Sequence, residues 1–162
     1  MSNNMEDLKN ECRTIEDNAR HTAEAHHIIA SWSKRKAFWL EITPAISAAL
    51  FVSLLVVGEQ VPEWVGWIAV VSAIFSATNS VMSPQKSYYE NLNAAKSFIV
   101  VKNKAHMLAS SLAGCYTEKE LCEAVKALAE TYNQLILVTP PTEEWAYKKA
   151  VDKLSKSGTI QA

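Results

Sequence analysis

Five residues in the middle of the sequence place small or polar side chains at helical spacing inside an apolar run. They are Ala69, Ser72, Ser76, Asn79 and Ser83. In a helix these positions fall within an arc of about 80°. Hydroxyl and amide groups on one face can hydrogen-bond across a helix–helix contact in a membrane, and in an oligomer they can line a water-filled path. The pattern leaves both interpretations open, but an amide such as Asn79 is costly against lipid and is expected to face protein or water.

The preceding apolar run repeats this pattern more weakly, with Ser47 among its small residues. Glu41 lies near the start of the same run. Its carboxylate can extend towards lipid headgroups or pair with Lys34 or Arg35. Alternatively, a ring of Glu41 side chains at the inner mouth of an oligomeric pore would favour cations.

Other residues that could bind metal or carry out catalysis do not form a recognisable site. His21, His26 and His27 have poor spacing for a shared metal ion, and Cys12, Cys115 and Cys122 lack the paired spacing of zinc sites. No phosphate-binding loop or hydrolase motif is present, so the sequence predicts neither an enzyme nor a cofactor. The net charge of −1 gives no indication of direct nucleic-acid binding.

Two apolar runs must position the polar face, one at residues 38–57 and the other at 64–82. Each has about 20 residues, so as a helix each would reach roughly 30 Å, the thickness of a bilayer's hydrocarbon core. The link from Gly58 to Glu63 is short and polar. A buried hairpin in a soluble bundle is the alternative, but soluble helices of this length usually show a charged face, which both runs lack. We therefore predict an all-α protein with a transmembrane hairpin at residues 38–83.

Basic residues flank the hairpin and are absent from its link. Lys34, Arg35 and Lys36 precede the first run, and Lys86 follows the second. By the positive-inside rule, both termini are expected in the cytoplasm. The N-terminus has no signal-peptide pattern. These features predict a multi-pass membrane protein with both termini in the cytoplasm.

Helical patterns extend through both flanks, residues 1–37 and 84–162. After loose residues 1–4, a narrow apolar stripe begins near Met5 and continues towards the first span. A second helix is expected from Pro84 to about Ala113, and its heptad-spaced apolar residues would pack against that stripe as a cytoplasmic stalk. This second set comprises Ala94, Phe98, Val101, Ala105, Leu108 and Leu112.

Two further helices are predicted after Gly114. A capping box at Thr117–Glu120 should start one helix, which would end before Pro140. Thr142 can cap a last short helix. The tail from Ser155 to Ala162 is expected to be disordered.

Taken together, these features resemble the SLATT family, two-transmembrane effectors predicted in bacterial conflict systems. The resemblance covers about residues 6–155, and four segments carry it. They are Trp32 to Trp39, Ser72 to Ala77, the Ser83–Pro84 junction followed by Tyr88, Asn93 and Phe98, and Tyr132 to Ala150. The last segment is the most specific, because a generic two-span protein has no reason to carry it.

The resemblance implies that the membrane is the inner membrane of a bacterium. It also implies an antiviral effector that forms a homo-oligomer and permeabilises this membrane, killing or arresting the infected cell. SLATT proteins occur beside nucleotide-messenger synthases, nucleotide sensors or reverse transcriptases. A cyclic nucleotide bound by the cytoplasmic helices, or a partner defence protein, would therefore be the trigger. The alternative is a non-conducting membrane scaffold or sensor that binds a partner through those helices.

Overall fold

The computed structural model describes residues 2–57, 64–111 and 115–158. Every regular element in these ranges is helical, which confirms the all-α class for the described part of the chain. The elements are α1 (Ser2–Val57), α2 (Trp64–Met82), α3 (Pro84–His106), a π-helical turn (Met107–Ser111), α4 (Glu118–Val138) and α5 (Glu144–Gly158). The predicted link from Gly58 to Glu63 lies outside the described residues.

Helix α1 begins earlier than the sequence pattern predicts. It is already helical at Ser2, where loose residues 1–4 were expected. A side-chain contact stabilises this end, since Asn4 Nδ2 donates to Glu118 Oε1 at 2.9 Å. The helix also continues through Pro44 without ending there.

The junction between α2 and α3 is a single residue, Ser83, which belongs to neither helix. Its backbone N–H donates to Asn79 O at 3.1 Å, and its carbonyl accepts from Ser87 N at 3.2 Å. Ser83 therefore closes one helix and opens the next. Its φ of 41° lies in the left-handed region, which is unfavourable for a residue with a Cβ atom.

Helix α3 keeps α-helical geometry to His106, and its predicted end near Ala113 lies outside the described residues. The chain then makes a π-helical turn from Met107 to Ser111. Within it, Ser110 Oγ donates a hydrogen bond to the backbone carbonyl of His106 at 2.6 Å, so a side chain provides a partner for a carbonyl group at this helix end. Leu112 and the predicted helix stop at Gly114 lie outside the described residues.

The capping box at the start of α4 is confirmed. Thr117 Oγ1 accepts from Glu120 N at 3.4 Å, and Glu120 Oε2 accepts from Thr117 N at 2.9 Å. The last helix, α5, begins one residue later than a cap at Thr142 predicts. Glu143 directly precedes it, and the backbone carbonyl of Glu143 accepts hydrogen bonds from the N–H groups of Ala146 and Tyr147.

The tail is also more ordered than predicted, since α5 continues past Ser155 to Gly158. An ion pair between Lys156 and Asp152, at 2.8 Å and one helical turn apart, bridges this last part of the helix. Residues 159–162 lie outside the described part.

The described chain divides into two compact units. The first, here called the flank unit, comprises Met1–Ala30 and Tyr89–Ala162. Its core joins α1, α3 and α4 through a cluster of seven buried residues: Ile15, Ala19, Ala23, Phe98, Val101, Ala105 and Leu128. The narrow stripe on α1 and the heptad positions on α3 thus share one core, and α4 adds a third helix to the predicted two-helix stalk.

Two smaller clusters complete the flank unit. Cys12 packs with Ala109, Leu121 and Val125 near the start of α4. Ala146 and Ala150 pack with Ala25 and Ile29, which attaches α5 to α1. An ion pair between Lys153 and Glu24, at 2.6 Å, adds a polar contact beside this cluster.

The second unit, here called the apolar unit, comprises Ser31–Tyr88. Large apolar side chains of this unit are widely exposed, and the exposed fraction of Val81 is 85%. Soluble proteins rarely expose apolar surface of this extent, so this unit is suited to contact with lipid or with another protein.

Candidate functional site

The predicted second span is the part of the chain with the clearest membrane character. Within the described residues, the helical stretch Gly66–Ser110 is long and apolar enough to cross a membrane. Its most apolar part is not buried. Helix α2 forms the charge-free part of this stretch, so its apolar side chains lie on the surface and not in a protein core.

Within its described residues, the predicted first span is not long and apolar enough to be a second candidate span. The side chains described for this run end at Ser53, so its last four apolar residues, Leu54 to Val57, do not contribute. Glu41 and Pro44 further reduce its apolar content. The structure thus supports one candidate span, and the two-span hairpin stays a prediction.

Several hydroxyl groups of these helices, including those of two predicted site residues, bond back to their own backbone. Ser72 Oγ donates to Ile68 O at 2.8 Å, and Ser47 Oγ donates to Thr43 O at 2.9 Å. Each bond joins a residue to the carbonyl four positions earlier, so the hydroxyl proton is satisfied without a second helix. These side chains are therefore compatible with lipid, with a packed helix or with water.

Asn79 differs from Ser72 on the same face. Its side chain is half-buried on α2, and none of the described residues hydrogen-bonds to its amide group. The amide carries two donors and an acceptor, which are costly to leave without partners in an apolar environment. Among the predicted site residues, Asn79 therefore has the strongest need for a partner from water or another molecule.

The remaining members of the face occupy different positions. Ala69 and Ser76 are exposed on α2, while Ser72 is half-buried. Ser83 lies between α2 and α3, so the helical spacing that grouped it with the others does not apply to it. The face is accordingly a feature of α2 that ends at Asn79.

Glu41 has a different partner from the two considered in the sequence analysis. Its carboxylate Oε1 accepts a hydrogen bond from Gln85 Nε2 of α3. Lys34 lies over the Tyr88 ring, with Nζ 5.9 Å from the ring centroid. Within the described residues Glu41 makes no ion pair with Lys34 or Arg35, and its side chain is exposed near the start of the predicted first span.

The histidines do not converge on a metal site. No group of three or more His, Cys, Asp or Glu side chains suited to a metal occurs among the described residues. His26 is instead a core residue, stacked on Phe98, with Nδ1 at 2.8 Å from Asn91 Oδ1. The sequence reasoning missed Asn91, although an Asn one turn before buried Ala94 and Ala95 could have been recognised as a core polar partner.

Comparisons with known proteins add no assignment: no protein-family model, curated protein or solved structure matches the chain. The resemblance to SLATT proteins accordingly rests on the sequence segments alone. The candidate site is defined by the physical character of α2 and of the residues at its ends.

Proposed function

We propose that the chain is a membrane effector of a bacterial antiviral defence system. Its two apolar helices span the inner membrane with both termini in the cytoplasm. Copies of the chain assemble into a homo-oligomer that permeabilises the membrane and kills or arrests the infected cell. A cyclic nucleotide or a partner defence protein, acting on the flank unit, triggers the change.

The observation that carries this proposal is the Asn79 amide, which has no hydrogen-bond partner among the described residues and lies on a largely apolar, exposed helix. In a bilayer such a group is stabilised by a polar group of another copy or by water in a pore. Ser72 and Ser76 extend the same face by two helical turns. The basic residues at one end of the hairpin support the orientation.

A non-conducting scaffold is the second candidate. The hydroxyl groups of Ser47 and Ser72 are already bonded within their own helices, as expected of residues that only allow close helix packing. In this alternative the hairpin anchors the protein, and the flank unit binds a partner.

Asn79→Leu tests the pore. We expect this substitution to lower dye entry and depolarisation in expressing bacteria about five- to thirtyfold, because it removes a polar group worth about 1 to 2 kcal/mol in helix association. Val81→Leu is the matched control, since Val81 lies on the same helix and is widely exposed. Equal permeabilisation by wild type and both variants, at equal membrane levels, would exclude Asn79 from the conducting path.

A further inference from the structure

A groove lies in the apolar unit where the start of the first apolar run meets the end of α2. Its volume is about 510 Å³. The wall from α1 contains Trp32, Arg35, Lys36, Trp39 and Leu40, and Met82 contributes from α2. The groove thus joins two cations to an apolar wall at one end of the candidate span.

The two cations of the groove differ in their contacts. Lys36 Nζ lies 3.4 Å from the centroid of the Trp32 ring, whereas Arg35 is exposed. No acidic side chain lines the groove, and neither cation forms an ion pair with an acid in the part of the chain described. Glu41 follows Leu40 directly in sequence, but it does not line the groove and its carboxylate accepts a hydrogen bond from Gln85. The lining of the groove therefore contains two positive charges and no negative one.

The apolar wall determines which anion fits. Trp39 is 64% exposed, and Met82 is also widely exposed. Tryptophan is favoured at the headgroup level of a bilayer, and basic pockets beside spanning helices on the cytoplasmic side bind anionic headgroups. A free phosphate ion would leave this apolar surface in water. A molecule with both a phosphate and an acyl chain covers both parts of the groove.

We propose that this groove binds an anionic phospholipid, with its phosphate against Arg35 and Lys36 and an acyl chain along Trp39, Leu40 and Met82. The proposal rests on the membrane insertion proposed above, but it does not depend on pore formation. It makes the headgroup composition of the inner leaflet a determinant of how the apolar unit is held in the membrane.

Quenching of tryptophan fluorescence by brominated lipids tests the site in the full-length protein. Trp64, Trp67 and Trp145 are replaced by Phe, which leaves Trp32 and Trp39 as reporters beside the groove. The protein is placed in vesicles that mix phosphatidylglycerol and phosphatidylcholine, with bromine on one lipid at a time. We expect phosphatidylglycerol to bind at least about fivefold more tightly, because one basic residue near an anionic surface contributes about that factor.

The double variant Arg35→Gln/Lys36→Gln should lose this preference. The matched control Lys148→Gln/Lys149→Gln removes two charges from α5 and should retain it. Quenching by both lipids without preference, or an unchanged preference in the Arg35/Lys36 variant, would overturn the groove while leaving membrane insertion intact. Absence of quenching by either lipid would overturn membrane insertion, and the lipid groove with it.

Discussion

At the scale of single residues, burial of His26 couples the stability of the flank unit to pH. The side chain is 1% exposed, and burial lowers the pKa of His26 even though the hydrogen bond to Asn91 opposes this shift; the neighbouring His27 lowers it further. The folded protein therefore keeps His26 neutral at pH values where the unfolded chain binds a proton. Its contribution to stability is fully present above the ordinary histidine pKa of about 6.5 and is lost as pH falls below it.

We therefore expect the unfolding free energy to fall by up to about 1.4 kcal/mol per pH unit below about pH 6.5 on account of His26. The measurement is chemical unfolding of the full chain in detergent between pH 7.5 and 5.5. His26→Gln should reduce this slope, although it lowers stability at pH 7.5. His21→Gln, a substitution at a less buried histidine of α1, should leave the slope unchanged. If the unfolding free energy of the wild type, His26→Gln and His21→Gln changed equally with pH, groups other than His26 would account for the pH dependence.

At the scale of elements, the capping box determines where α4 begins. The hydrogen bonds from the Thr117 side chain and backbone lower the pKa of Glu120, so its carboxylate stays ionised as a partner of the cap. Thr117→Ala should lower the unfolding free energy by about 1 kcal/mol, since it removes an N-cap acceptor. Thr117→Ser retains the hydroxyl group and should remain close to wild type. Amide hydrogen exchange in the first turn of α4 would measure the loss of stability. Equal protection in Thr117→Ala and Thr117→Ser would contradict a role for the hydroxyl group.

The same elements show how far sequence reasoning extends. The Thr117–Glu120 box and the apolar stripe of α1 were predictable because a local hydrogen-bond pattern or a regular spacing specifies them. The early start of α1 was not, because the contact that stabilises it joins residues far apart in sequence. Asn4 reaches Glu118, more than a hundred positions away. The ion pair that bridges the end of α5, between Lys156 and Asp152, is by contrast a local i,i+4 pattern that the sequence already contains. The left-handed conformation of Ser83 was equally unpredictable, since Pro usually favours an extended residue before it.

For the candidate site, the sequence predicted the polar face of α2 but not the state of its members. Spacing placed Ser72 and Asn79 on one face, and only the cost of an amide against lipid distinguished them. In the structure the hydroxyl proton of Ser72 bonds to its own helix, whereas the Asn79 amide has no partner among the described residues. A periodicity argument places side chains on a face, but it does not determine which hydrogen bonds they make.

At the scale of the whole molecule, the two units differ in what they leave on their surfaces. The flank unit buries its apolar stripes in three clusters, whereas the apolar unit exposes large side chains such as Trp67 and Ile74. If the apolar unit only anchors the protein, any pair of spans can replace it, because a generic hairpin supplies the same lipid-facing surface. If it conducts, its particular polar face is required.

Replacing residues 38–83 with an unrelated two-span hairpin of equal length distinguishes these functions. We expect the chimaera to reach the membrane at wild-type levels, because the basic residues before and after the hairpin remain. We expect it to lose permeabilisation, because it lacks Asn79 and the face around it. The measurement is membrane potential and cell survival after expression, with carbonate extraction as the control for insertion. A chimaera that kills cells as the wild type does would favour the scaffold, with the active part of the molecule in the flank unit.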